Sequence, residues 1–479
     1  MPRLRAPIMD MDQPLCIHNL ADEILSEILD LLLEPAPRAV NGKFNGNGHT
    51  KPKKTIIQYG EATDLDRFRL VCKRFMRIGT PHRFSRFTLR FSEHGFRRLD
   101  ELLHMQLACY VKSVTYMVRP FYQGSGWPRL LQDLENKIPA LSQVHSQRLQ
   151  EQTNITERNI DQTLLRLAFA SSPALQEIKL LRLQDVEDDH LIQFLRTAPT
   201  QTTLFTWEPA CTRAITTLSS ALLTSTSSIR FTAPQLSPES TLHLLHTPPS
   251  TLSQLATRLI ALDINIPANE KLTTSISSLS AILRRFLLAA KNLVALHIGF
   301  LSKTPLTLSL DSVFHHIRWK TLRKLSIQGW RLDASEIIAL ARRHTQLHDF
   351  RLVAIYLRSG LWSDILVVLR EEMRQLEHLE LREIDYAHFE NGLFDGSVGP
   401  APSALNDEGG TMEVGVSAVP VLRGRGRSSM EKLGALGVED LRDDGVRVMR
   451  RQLPLWEAWV LSSNGRKNGN GNGRVAWNM

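Results

Sequence analysis

Cysteine is scarce. Cys16, Cys72, Cys109 and Cys211 are the only four in 479 residues, and no two form a CxxC pair. A zinc framework or a disulfide scaffold needs closer spacing, so this usage fits a reducing compartment. Long apolar runs are missing too. No stretch of about eighteen apolar residues occurs, and residues 1–11 carry Arg3, Arg5 and Asp10 where a secretory leader would have an apolar core. These absences predict a soluble intracellular chain, cytoplasmic, nuclear or both, with no membrane partner. The chain has no GxxxxGK[ST], no HExxH, no GxSxG and no GxGxxG after a strand. It is therefore expected to be non-enzymatic, with no catalytic residue, metal or cofactor.

Isolated titratable groups do not change that reading. His243 and His246 share a helical spacing without a third ligand nearby. His344 and His348 straddle the expected end of a helix, which separates them. Asp188, Asp189 and His190 read as the acidic first turn of a helix. Cys72 and Cys109 fall on apolar phases and are expected to be small core side chains. Lys and Arg number 58 against 49 Asp and Glu. Net charge concerns non-specific attraction rather than fold, and the basic runs Arg423–Arg427 and Arg466–Arg474 lie in segments poor in apolar residues.

Three such segments break the chain. Asn41–Lys54 and Asn464–Arg474 are built of Asn, Gly and basic residues, and Gly392–Ser429 has neither helical nor strand period. None can bury enough surface to offset the entropy of ordering. The expected organisation is a helical unit over 15–80 with a flexible insert at 36–62, and a repeat region over 84–390 with a helical insertion at 127–170. A disordered linker over 391–445, a docking helix over 446–462 and a disordered tail over 463–479 follow. Leu453, Leu455, Trp456, Trp459 and Val460 motivate the docking helix, because two tryptophans this close are costly to leave in water.

What the chain does have is periodicity. Leu20, Ile24, Leu25, Ile28, Leu29 and Leu32 draw an apolar stripe on a helix that Pro35 ends. Leu65, Phe68, Val71, Cys72, Phe75 and Ile78 predict a second helix that Gly79 and Pro81 stop. From residue 84 the pattern becomes apolar-x-x-apolar-x-apolar: Phe84/Phe87/Leu89, Val111/Val114/Tyr116, Leu175/Ile178/Leu180, Leu259/Leu262/Ile264, Leu293/Leu296/Ile298, Leu322/Leu325/Ile327, Leu347/Phe350/Leu352 and Leu376/Leu379/Leu381. The last four begin 29, 25 and 29 residues apart, a leucine-rich-repeat-like period. Leu204 with Trp207 and Ile229 with Phe231 are expected to be two degraded copies. Helical segments such as the one opened by Asp333-Ala-Ser-Glu336, a capping box, lie between the triplets. The fold class is thus α+β or α/β: an N-terminal helical unit, then an irregular solenoid with a parallel sheet and outer helices.

The first helical pair, Leu20-Ala-Asp-Glu-Ile-Leu-Ser-Glu-Ile-Leu with Arg69-Leu-Val-Cys-Lys-Arg-Phe, resembles the F-box over residues 15–34 and 63–79. Ala21 stands where the family usually has proline, and about thirty residues separate the halves where the family has a few. Pro81-His-Arg-Phe-Ser-Arg-Phe-Thr-Leu is similar to the step from F-box to first strand in fungal F-box proteins. The resemblance implies a non-catalytic substrate-recognition subunit of a Skp-cullin-F-box ubiquitin ligase. The helices would dock on the Skp-type adaptor, and through it a cullin, while the repeats present an unidentified protein substrate. The stripes nominate Leu20, Ile24, Leu25, Ile28, Leu29, Leu70, Val71 and Phe75 for the adaptor. The alternatives are a pair of helices that only caps the solenoid, a scaffold outside any ligase, and a nucleic-acid-associated protein using its basic arms.

If the apolar members of each triplet point inward, alternation turns the residues between them outward. Substrate-face candidates are then Asp263, His297, Lys324, Ser326, Asp349, Arg351, His378 and Glu380. Charges of both signs without interleaved aromatics favour a protein over a nucleic acid.

Overall fold

The computed structural model describes residues 17, 20–33, 64–196, 205–225, 227–234, 249–267, 272–301, 305–387 and 435–462. The insert at 36–62, the segment 392–429, the tail 463–479, Cys16, His243 and His246 lie outside these residues.

Among the described residues twelve strands form: β1 (Arg86–Arg90), β2 (Ser113–Val118), β3 (Phe121–Tyr122), β4 (Glu177–Arg182), β5 (Phe205–Thr206), β6 (Ile229–Pro234), β7 (Leu259–Pro267), β8 (Ala295–Leu301), β9 (Lys324–Asp333), β10 (Asp349–Ser359), β11 (His378–Arg382) and β12 (Asp385–Tyr386). Ten of them make one open sheet ordered β1-β2-β4-β6-β7-β8-β9-β10-β11, with β12 also on β10. Every pairing in this sheet is parallel. Parallel neighbours need a crossover between them, and helices supply it.

The apolar triplets stand in register. Phe87 pairs with Val114, Val114 with Ile178, Ile178 with Phe231, and Phe231 with Leu262. Leu262 then pairs with Leu296, Leu296 with Leu325, Leu325 with Phe350, and Phe350 with Leu379. The third triplet position makes a second ladder two residues on, with Ile264, Ile298, Ile327, Leu352 and Leu381 side by side. Both ladders are largely buried against the helices in two cores, one running from Phe87 to Leu255 and one from Leu252 to Val460. The helices start where side chains satisfy their free donors. Ser92 Oγ accepts from Gly95 N–H at 3.1 Å ahead of helix Glu93–His104. Asp333 and Glu336 form a reciprocal capping box on helix Ala334–Arg343.

Leu204 of one expected repeat lies outside the described residues, and its companion Trp207 is not on a strand. Trp207 opens helix Trp207–Thr224, and Phe205–Thr206 pairs antiparallel with β3 in a separate two-stranded sheet, so β4 lies directly beside β6. Pro209 fits a first helical turn, where its missing N–H costs nothing. Ala210, Ala214, Leu218, Ala221 and Leu222 then recur at helical spacing and are buried. Residues 127–170 form helices Trp127–Lys137, Pro139–Glu157 and Ile160–Ala170.

Among its described residues the N-terminal unit has three helices rather than two: Asp22–Leu33, Asp64–Val71 and Lys73–Arg83. Cys72 is extended (φ −160°, ψ 169°) and breaks the expected single helix, its Sγ accepting from Phe75 N–H at 3.4 Å. Gly79 does not end the last helix. A Cβ there would lie 2.5 Å from Arg69 Cγ, so glycine lets the two short helices cross closely. Pro81 sits within the final turn, where it removes a single donor. Asp22 binds Arg74 at 2.6 Å and also Arg77, tying the first helix to the third across the insert.

At the other end, helix Leu453–Ser462 packs on β11 and on helix Trp362–Glu372. Trp456 and Trp459 are buried, and their Nε1 groups donate to Leu441 O and Leu436 O at 3.0 and 3.1 Å. The linker expected to run to residue 445 is therefore structured from 435 onward, because its apolar residues wrap the two indoles. Glu457 Oε1 accepts from Leu381 N–H at 2.7 Å, which occupies a donor of the last strand of the sheet path.

Leu325 is buried at the centre of the first ladder. Leu325→Asp deletes that side chain and buries an unpaired carboxylate, so it should destabilise by roughly 5 kcal/mol. Urea unfolding followed by circular dichroism checks this, and an unchanged midpoint would place Leu325 outside the core.

Candidate functional site

Two surfaces offer chemistry. The first is the N-terminal helical unit, whose small core holds Leu25, Leu29, Leu65, Phe75 and Ile78, with Leu20, Phe68 and Cys72 packed against them. Phe68 stacks on Phe75 with ring centroids 4.5 Å apart. Of the eight residues nominated for partner contact, Leu25, Leu29 and Phe75 thus lie inside the unit and Leu20 lines it. They hold the helices to each other. Ile24, Ile28, Leu70 and Val71 point outward, with Leu70 82% and Val71 59% exposed, and Met76 joins them. Sequence reasoning missed Met76, which sits one residue after a core phenylalanine on a short helix.

The second surface is the sheet face turned away from the ladders. Its residues follow the register Ala261–Ala295–Lys324–Asp349–His378 and Asp263–His297–Ser326–Arg351–Glu380. Alternation predicts them to be exposed, yet His297, Ser326 and Asp349 are buried. They bury one another. His297 Nδ1 lies 2.8 Å from Ser326 Oγ, and its Nε2 lies 3.0 Å from Asn265 Oδ1. With the ring neutral, the serine hydroxyl donates to Nδ1 and Nε2–H donates to the amide oxygen. Burial holds His297 down at about 4, with the Arg351 charge acting in the same direction. Gly299 makes the arrangement possible: a Cβ there would be 2.1 Å from Asn265 Oδ1. Asn265 and Gly299 carried no sequence signal.

The charges on this face are mostly matched. Arg351 reaches Asp349 at 3.1 Å and Glu380 at 3.3 Å, and Glu177 takes Lys179 at 3.3 Å. Lys324 is half-buried and His378 exposed at the β11 edge. Asp263 differs. Its side chain is 15% exposed, its Oδ1 has no hydrogen-bond donor, and the His297 ring is 3.9 Å away. Burial pushes its carboxyl up to about 6.

Other clusters are closed. Asp188, fully buried, shares Arg119 and Arg148 with Asp185 at 2.6–2.9 Å, which braces helix Val186–Arg196 against the helical insertion. His344 is a buried helix C-cap stacked on Trp319. Cys109 is exposed, its Sγ donating to Gln106 O at 3.4 Å, so it is not the core side chain its phase predicts. A 3-10 turn at Ala108–Tyr110 replaces the regular phase there. Among the described residues no group of three His, Cys, Asp or Glu could hold a metal, and no helix is long and apolar enough to cross a membrane.

No protein-family model matches the chain, and no curated protein is significantly similar to it.

A carboxyl with a raised folded-state value binds its proton more tightly in the native chain. Its share of stability is complete below about pH 4 and drains as pH rises through 6. Asp263→Asn should therefore stabilise the protein above pH 6, by at most about 3 kcal/mol, and be neutral near pH 4. Thermal melts at the two pH values check this; equal effects at both would remove the buried-carboxylate account.

Proposed function

We propose that this chain is a substrate-recognition subunit of a Skp-cullin-F-box ubiquitin ligase. The N-terminal unit docks on the Skp-type adaptor, and the sheet region, leucine-rich-repeat-like, presents a protein substrate. The observation that carries the reading is the outward apolar set Ile24, Ile28, Leu70, Val71 and Met76 on a unit whose own core is already filled by other residues. A module of this size cannot hide both sets internally, and apolar side chains left outside mark a surface that a partner covers. The residues agree with the F-box-like pattern of the sequence, since Leu70 and Val71 belong to its Arg69–Phe75 segment. The chain itself would be non-catalytic, with ubiquitin supplied by a separate conjugating enzyme.

The test separates contact residues from core residues. Burying one aliphatic side chain contributes about 1.5–3 kcal/mol, so Ile28→Asp with Leu70→Asp should weaken adaptor binding by roughly two to four decades. Both positions are outward-facing, so the circular dichroism spectrum and the main melting transition should be unchanged. A folded double variant that co-purifies with a Skp-type adaptor at wild-type levels would contradict the assignment. Leu25→Asp, by contrast, should unfold the unit and is a poor probe of binding.

A further inference from the structure

We infer that the recess around Asp263 receives a lysine or arginine side chain of the presented protein. The inference rests on the reading of the sheet face as the substrate-binding surface, and it names the chemistry of that substrate. Four observations support it.

The recess is defined by small residues. On the same face as Asp263, the register places Ala261 beside Ala295 on one side and Asn265 beside Gly299 on the other. Larger side chains, Arg230 on β6 and Lys324 on β9, stand beyond them. Asp263 itself is the exception in the charge pattern. Among the described residues of this face, Glu177, Asp349 and Glu380 each have a cation within 4 Å. Asp263 has only the uncharged His297 ring, and its Oδ1 receives no hydrogen bond. Oδ1 is itself closed off beside the imidazole, so the part of the carboxylate that an incoming cation would meet is the 15% of the side chain left exposed. The charge of that cation would offset the cost of keeping the group ionised there.

The surroundings are also fixed in advance. Asn265 and Ser326 occupy both ring nitrogens of His297, so the imidazole has no proton left to offer Asp263. The network thereby keeps the carboxylate unsatisfied rather than pairing it internally. Positions that lower stability while leaving an unmatched charge partly exposed are the expected mark of a binding site.

Titration adds a signature. Facing Asp263 are Thr232 and Arg230 from β6 and His297 from β8, with Ser326 and Lys324 one strand further. Arg230 is within 3.9 Å of Glu177. His297, held at about 4, stays neutral above pH 5. Asp263 is thus the group on this patch that changes charge between pH 5 and 7.

The test uses the purified full chain and a random phage-displayed peptide library. Wild-type protein at pH 7.5 should select peptides that share one lysine or arginine. A selected peptide, synthesised, should bind Asp263→Asn at least tenfold more weakly than wild type. The same peptide with that basic residue changed to glutamine should bind both proteins equally weakly. Wild-type affinity should fall as pH drops from 7 to 5, and the Asp263→Asn profile should be flat. Selection of no peptide, of peptides without a shared basic residue, or of peptides that bind Asp263→Asn as well as wild type would each overturn the inference. Adaptor co-purification is measured on the same proteins. Its loss with basic-peptide selection intact overturns the ligase reading alone, and its retention without such selection overturns the recess alone.

Discussion

Nine parallel strands remain in step because each turns an apolar pair, largely buried, toward the helices at the same two positions. A slip of one residue on any strand would turn its apolar pair to the polar face and carry its charges into the core. The ladder from Phe87 to Leu379 therefore sets more than stability. It fixes the order of the opposite face, where Asp263, His297, Ser326, Arg351 and Glu380 are neighbours only because Leu262, Leu296, Leu325, Phe350 and Leu379 are. The same ladder leaves two open ends. The β11 end is closed by Trp456, Trp459 and Glu457, and the β1 end follows directly from the N-terminal helical unit.

The polar face carries a local cost that the apolar face outweighs. Each fully buried leucine or isoleucine in the ladders contributes about 1.5–3 kcal/mol. One carboxyl kept ionised in a half-dry setting removes a comparable amount. A sheet with this many ladder residues tolerates such a position. The His297 network shows how the tolerance is arranged: Gly299 gives up its side chain so that Asn265 can reach the ring.

Much of the fold was legible because pairing and burial act on spacing, and spacing is written in the chain. Leu293, Leu322, Leu347 and Leu376 announce their strands at sight. Trp207 misled because an apolar residue three after another suits a helix equally, and Pro209 with the alanines after it decided for the helix. The first stripe failed in a related way. Ile24 and Leu25 are neighbours in sequence but about 100° apart on a helix, so a stripe this wide spans two faces. Leu25 and Leu29 turned inward, while Ile24 and Ile28 turned outward. The Asp263 recess was half legible. Alternation placed its residues on one face, but their crowding depends on contacts between positions about thirty residues apart, which no local pattern encodes.

The central claim is that the outward residues of the N-terminal unit are a docking surface for a Skp-type adaptor. Hydrogen–deuterium exchange of the full chain, with and without a recombinant adaptor, tests it most directly. Docking predicts new protection confined to residues 20–29 and 64–83, with the strands β1 to β11 unchanged. Saturating adaptor that leaves exchange at 20–29 and 64–83 unaltered would contradict the claim.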